Sequence, residues 1–229
     1  DAVRLHEVLA ARRVPLAGRP IASLTFGVPH TRMLDELEPA VAAAFDAALR
    51  CLSRAGARIV ELALPEIADV NALFTHGGFS ATEAWAWHRK RLAEREAGYD
   101  PRVVQRIRAG ANAGAADYVD LLTARAAWIA RMEAAMAPFD ALLSPTVPMV
   151  APPLAPLVDD DAAFFAVNAK LLRNPSVINF LDGCALSLPC QARGDLPVGL
   201  MVWHAGGHDD AVLHVAQQTE HVLRRALNT

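Results

Sequence analysis

Residues 185–203 read Ala185-Leu-Ser-Leu-Pro-Cys190, Gln191-Ala-Arg-Gly-Asp195 and Leu196-Pro-Val-Gly-Leu-Met-Val-Trp203. Two apolar runs around five turn-prone residues spell a β-hairpin, with Gly194-Asp195 supplying the permissive backbone. Both runs are apolar on successive residues, so both faces of each strand are expected to be covered. Pro197 has no N–H for a ladder and is confined to the beginning of its strand. Gly199, inside the second run, marks a place where another backbone or a ligand comes close. The hairpin is therefore expected at the centre of a sheet packed between helices.

Ser-Leu-Pro-Cys, a short turn and Leu-Pro-Val-Gly-Leu-Met-Val resemble the last sheet strands of the amidase signature family. Three further segments resemble that family in the same order along the chain. They are Phe26-Gly-Val-Pro29, Phe139-Asp-Ala-Leu-Leu-Ser-Pro-Thr-Val-Pro148 and Asn174-Pro-Ser-Val-Ile-Asn179. The resemblance runs from about Ser23 to Leu227. It implies an α/β fold with a mixed sheet between helices, the second half of the family's α/β/α sandwich. Residues 1–22 then form a connector from a missing N-terminal half, and residues 23–229 form a single domain.

The 229 residues, 53% hydrophobic and 21% charged, describe a globular chain. A formal net charge of -3 argues against a general binder of nucleic acid or anionic membranes. No apolar run reaches the roughly 18–20 residues of a membrane span, and no signal-peptide pattern opens the chain. Cys51, Cys184 and Cys190 are odd in number and lack paired C-x-x-C spacing, which suits reduced thiols in a cytoplasmic protein.

A short helix is expected within residues 1–22, before the breaks at Pro15 and Pro20. Ser23 to Val28 and Arg58 to Leu64 read as strands. Between them a helix opens at Pro39 and carries Val41, Phe45, Ala48, Leu49 and Leu52 on one face, ending at Gly56. Strand, helix, strand over about forty residues is a βαβ unit with parallel strands. Ser80-Ala-Thr-Glu83 has capping-box spacing and should begin a helix. Pro101 begins a shorter one. Ala116 to Met136 carries a stripe of Tyr118, Leu121, Leu122, Trp128, Ile129, Met132 and Met136. Residues 145–157 hold five prolines and are expected as extended loop at the sheet's edge. The last helix spans about Asp209 to Arg225, with acidic residues in its first turn and basic ones in its last.

The family's reaction, which the resemblance implies, cleaves a C–N amide bond through an acyl-serine intermediate without metal or cofactor. It needs a serine nucleophile, a second serine and a lysine, because a serine hydroxyl is inert until a base activates it. This chain has no Ser-Ser pair and no Gly-Gly-Ser, and its only lysines are Lys90 and Lys170. Lys90 lies in a charge run and Lys170 in a helix without a nearby serine, so both read as structural. The Ser-Ser-Lys centre is expected outside this chain, and the catalytic set within it is empty. G-x-S-x-G, P-loop and G-x-G-x-x-G patterns are absent. His204-x3-His208-Asp209 has metal-like spacing, but Gly206-Gly207 between the histidines argues for a turn, and no metal is expected. The Gly206-Gly207 junction before the last helix reads as a plain loop, although a helix N-terminus can bind an anion.

What remains is a contribution to a substrate pocket. By resemblance, the loops after Leu143 and before Leu186 face the serine centre, which makes Thr146, Asn174, Ser176 and Asn179 the candidates for binding a small-molecule amide. The competing reading has Asn174 capping a helix begun by Pro175 and Thr146 making a turn bond. Phe74 to Phe79, bent at Gly77-Gly78, is a candidate apolar wall or lid. The expected partners are the N-terminal half of the fold and a further copy of the chain, with no nucleic acid and no membrane. The alternative is a non-catalytic binding or assembly module derived from the same fold.

Overall fold

The computed structural model describes residues 1–16, 18–74 and 77–227. Its packing divides the chain into two compact units, residues 1–67 with 132–229, and residues 68–131.

The first unit opens with helix α1 (Ala2–Leu9), none of whose residues is buried. Strand β1 (Thr25–Pro29) leads into α2 (Pro39–Arg54) and β2 (Arg58–Leu62). Pro39 stands in the first turn of α2, where its missing N–H costs nothing. Val41, Phe45, Ala48 and Leu52 recur at helical spacing and are the helix's buried residues. Gly56 turns the chain out at φ +97, a conformation that suits glycine. β1 and β2 pair in parallel, Thr25 opposite Arg58 through Pro29 opposite Leu62, as the strand-helix-strand spacing implies.

The sheet is completed by β3 (Ala141–Pro145), β4 (Cys184–Pro189) and β5 (Gly199–His204), in the order β2-β1-β3-β5-β4. β3 lies parallel to β1 and antiparallel to β5, and β5 is antiparallel to β4. Helix α9 (Asp209–Leu227) follows β5. Phe26, Val28, Leu143, Leu200 and Val202 share one hydrophobic core with Phe45 and Leu52 of α2 and Val212 and Val215 of α9. Each such large side chain taken out of water contributes about 1.5–3 kcal/mol before entropy.

The hairpin forms, but not where the sequence put it. β4 is an edge strand, and Ala185, Ser187 and Pro189 are exposed while Leu188 is buried. A run that is apolar throughout hides a size alternation, with Ala, Ser and Pro on one face and Cys and Leu on the other. The small residues can face water at little cost. Only β5 is covered as expected.

Two other expectations are corrected in this unit. Residues 145–157 do not run along a sheet edge. Pro145 ends the central strand, Pro148 and Met149 are buried, and residues 155–158 form the short helix α7 (Ala155–Val158). The reason is a pair of bonds to the start of α2: Glu38 N–H donates to the Pro148 carbonyl at 2.9 Å, and Val150 N–H donates to Glu38 Oε2 at 3.0 Å. Pro175 begins no helix either. It lies inside α8 (Asp161–Phe180), which Asp160 caps by accepting from Ala163 N–H at 2.9 Å.

In the second unit, α4 (Gly78–Arg95) and α5 (Pro101–Ala109) pack Leu92, Val104 and Ile107 against Ala84, Trp85 and Tyr99. Helix α3 (Pro65–Leu73) enters this unit and α6 (Ala115–Met136) leaves it. Asp100 caps α5 by accepting from Arg102 N–H at 2.8 Å and Val103 N–H at 3.3 Å. The Ser80 capping box does not form. Gly77, at φ +83, and Gly78, at φ +65, turn the chain into α4 two residues earlier, which places Ser80 inside the first turn. Glu83 instead accepts from the Tyr118 hydroxyl at 2.9 Å. On α6, Leu121, Trp128, Met132 and Met136 are buried but Leu122 is exposed. The candidate lid at 74–79 lies partly outside the described residues, since Thr75 and His76 are not among them.

Candidate functional site

Two of the four residues that the sequence singles out, Thr146 and Asn174, meet at the end of β3. Thr146, the next residue, donates its N–H to the Gly199 carbonyl at 2.8 Å and so prolongs the β3–β5 ladder by one bond. Its hydroxyl lies 2.6 Å from the hydroxyl of Ser187 on β4, across the intervening strand β5. Gly199 is what lets them meet. A Cβ there would stand 2.4 Å from Ser187 Oγ and 2.5 Å from Thr146 Oγ1. What comes close at Gly199 is neither a backbone nor a ligand, as expected there, but two side-chain hydroxyls.

Strand alternation puts Ser144 on the same face as Thr146. Ser144 pairs with Met201, which pairs in turn with Ser187, so three hydroxyl-bearing residues share one face of three adjacent strands. Ser144 is fully buried and its Oγ has no hydrogen-bond partner among the described residues. Ser144 and Ser187 were not among the sequence candidates. Their signal lay in the phase of the strands, which becomes readable only when the register is known.

Asn174 supports this strand end from α8. Fully buried, it donates its amide to the Pro145 carbonyl at 2.8 Å and to the Met33 carbonyl at 3.1 Å. Its Oδ1 accepts from Arg173 Nε at 3.1 Å. Arg173 then donates to the Asp35 carbonyl at 2.6 Å. Burial lowers the proton affinity of this guanidinium, and the charges of Asp35 and Glu36 oppose that. The pair clasps the loop after β1, the end of β3 and α8 together.

Ser176 and Asn179 do not join the cluster. Buried Asn174, Val177 and Ile178 mark the inner stripe of α8, whereas half-buried Ser176 and exposed Asn179 lie on another face. Ser176 Oγ donates to the Arg173 carbonyl at 3.0 Å within the helix.

None of the three hydroxyls is hydrogen-bonded to a base, and neither Lys90 nor Lys170 is bonded to a serine among the described residues. Two of the thiols are held protonated at neutral pH. Burial pushes Cys190 up to about 12, and burial with the nearby Asp209 charge pushes Cys184 up to about 11. No group of three or more metal-ligating side chains occurs among the described residues. The arrangement can bind a polar group but carries no activated nucleophile.

His204, read from its spacing, is a buried residue of β5 whose ring centroid lies 4.1 Å from that of His208. Its Nδ1 accepts from the Ala205 N–H at 2.9 Å, a bond that a proton on that atom would break. Burial lowers its proton affinity and His208 lowers it further, against the Phe139 carbonyl and the charges of Asp140 and Glu133. The unfolded chain therefore takes up this proton first as pH falls. The stability tied to His204 is whole above pH ~6.5 and declines below it, by at most about 1.4 kcal/mol per pH unit. Urea midpoints at pH 7.5 and 5.5 should separate more for the wild type than for His204→Asn, and equal separations would remove His204 from the account.

The family model described as Amidase matches residues 15–213. The chain is 31% identical over 187 residues to the 2-amino-5-chloromuconic acid deaminase of Comamonas testosteroni, spanning 80% of this chain and 39% of that one. It is 30% identical over 241 residues to a glutamyl-tRNA(Gln) amidotransferase subunit of Salinispora tropica, spanning 95% and 48%. A crystal structure of an amidase superposes with a TM-score of 0.79 at 29% identity, over 97% of this chain and 50% of that one. An allophanate hydrolase of Kluyveromyces lactis superposes at 0.78 with 23% identity, over 93% and 34%, which is a likeness of fold. The chain thus spans half or less of the length of these relatives. The matched stretch covers both ends of the hydroxyl cluster and its Asn174 clasp, and the chain belongs to the amidase family.

Proposed function

We propose that this chain is the C-terminal, substrate-pocket-forming part of an amidase. The whole protein would hydrolyse a C–N amide bond through an acyl-serine intermediate, with the Ser-Ser-Lys centre supplied by residues outside this chain and no metal or cofactor. The observation that carries the reading is the convergence of Thr146, Ser187 and Gly199 at the end of the central strand, in a chain of this family whose own lysines bond no serine among the described residues. Ligands of α/β sheets gather at strand ends, where loops and side chains can converge on them. Thr146 would face the amide, and Asn174 would hold the strand end that presents it. Residues 1–22 would connect to an N-terminal half of the fold. A cytoplasmic setting suits the free cysteines Cys51, Cys184 and Cys190. Among the described residues no helix is long and apolar enough to cross a membrane.

The purified 229-residue chain should release no ammonia from simple aliphatic or aromatic primary amides. Turnover by the chain alone, abolished by a substitution at one of its own serines, would overturn this reading. A second reading, a non-catalytic binding or assembly module, is favoured by the exposed Leu5, Val8 and Leu9 of α1 and by the open edge of β4. Adding a separately produced first half of an amidase relative that bears Ser-Ser-Lys tells the two apart. The amidase reading expects hydrolysis to appear, and the module reading expects complex formation without it.

A further inference from the structure

We infer that Ser187 is a substrate-contacting residue of this amidase pocket, and that with Thr146 it reads a neutral carboxamide group. The inference rests on the pocket reading above and gives that pocket a chemical preference. A cross-strand hydroxyl pair can be a purely structural link. Two features go beyond that. The link is built over a glycine at the start of β5, and glycine in a strand weakens it. Any larger residue at 199 would drive its Cβ into both hydroxyls. Fully buried Ser144, on the same face, also keeps a hydroxyl with no partner among the described residues, although buried hydroxyls nearly always find one.

The chemistry follows from counting protons. In a bonded pair of hydroxyls one O–H is consumed internally. The other remains free to donate, and oxygen lone pairs remain free to accept. Because Ser187 is exposed and Thr146 only half-buried, that free donor and acceptor can point outward. A carboxamide offers the complementary set, a carbonyl acceptor and an N–H donor. Among the described residues the pair is bonded to no charged group, so it matches a neutral amide better than a carboxylate, which would require a cationic partner. Polarisation along the hydroxyl chain strengthens the outward bond.

The test titrates the 15N-labelled chain with isobutyramide and, separately, with 3-methyl-2-butanone, which keeps the carbonyl but lacks the N–H. Isobutyramide should give saturable shifts at the backbone amides of Thr146, Ser187 and Gly199, and the ketone should bind more weakly. Ser187→Ala should weaken amide binding by about tenfold, the loss expected for one hydrogen bond to a ligand. Thr146→Ser keeps the hydroxyl and should bind, whereas Thr146→Val should not, so the inference stays testable even if Ser187→Ala fails to fold. Absence of saturable shifts in the wild type, equal binding of the ketone, or unchanged binding in Thr146→Val overturns it. Binding is read here without turnover. Failure of this inference therefore shows in the titration, and failure of the amidase reading shows in the hydrolysis assay.

Discussion

Asn174→Leu is expected to destabilise the chain by about 2–4 kcal/mol, because a side chain of similar size removes two hydrogen bonds to buried carbonyls and the acceptor of Arg173 Nε. The carbonyls are those of Pro145 and Met33, 29 and 141 residues away in sequence. An orphaned acceptor costs about 1–3 kcal/mol, and the Met33 carbonyl keeps only the longer bond from Arg173 Nη2 at 3.5 Å. Asn174→Ala should cost more, since it adds a cavity to the same loss. Urea unfolding followed by tryptophan fluorescence reads both variants. A loss below about 1 kcal/mol for Asn174→Leu would mean that water or a rearranged Arg173 serves those carbonyls. The consequence for function is local, because Pro145 precedes the residue whose hydroxyl meets Ser187. Loss of the clasp should therefore also disperse the backbone resonances of Thr146 and Gly199.

Gly110→Ala should be at least as damaging, at about 3 kcal/mol or more, through a different mechanism. A Cβ at this position would stand 2.1 Å from the Ala81 carbonyl oxygen, 2.3 Å from its carbon and 2.7 Å from Thr82 N. All three are backbone atoms of α4, so no rotamer change relieves the clash and the helix itself must shift. Gly98→Ala is the control, because nothing lies within 4 Å of its added methyl. Hydrogen exchange should show protection lost within residues 68–131 for Gly110→Ala and kept for Gly98→Ala. Equal protection in the two variants would show that α4 accommodates the methyl.

Much of the fold was legible because it is written in local chemistry. Pro39 and Gly56 bracket α2 and Pro101 opens α5. Each signal acts within one helical turn of itself. Ser80-Ala-Thr-Glu83 failed for the same reason inverted. Gly77 and Gly78 offered an earlier entry to the helix, and Tyr118, 35 residues away, took Glu83. The hairpin was legible as a hairpin, since its turn and its two runs are contiguous. Its place at the edge was not, because apolarity on successive residues does not distinguish a covered strand from one whose exposed face carries only Ala185, Ser187 and Pro189.

For the site, sequence supplied Thr146 and Asn174 as polar residues in conspicuous places, and Gly199 as a point of close approach. It could not pair them. Thr146 and Ser187 are 41 residues apart and meet only because β5 lies between their strands in one particular register. The sequence alone determined the strand-helix-strand opening with its parallel pairing, the long α6 and the last helix, the existence of the hairpin, the family resemblance and the shortage of lysine–serine chemistry, since these depend on residue type and short spacing. Tertiary structure alone decided the strand order, the role of Asn174 as a clasp and the hydroxyl pair over Gly199. Strand register turns on the summed burial of whole faces, and one residue of slip would have sent every one of those side chains to the other side of the sheet.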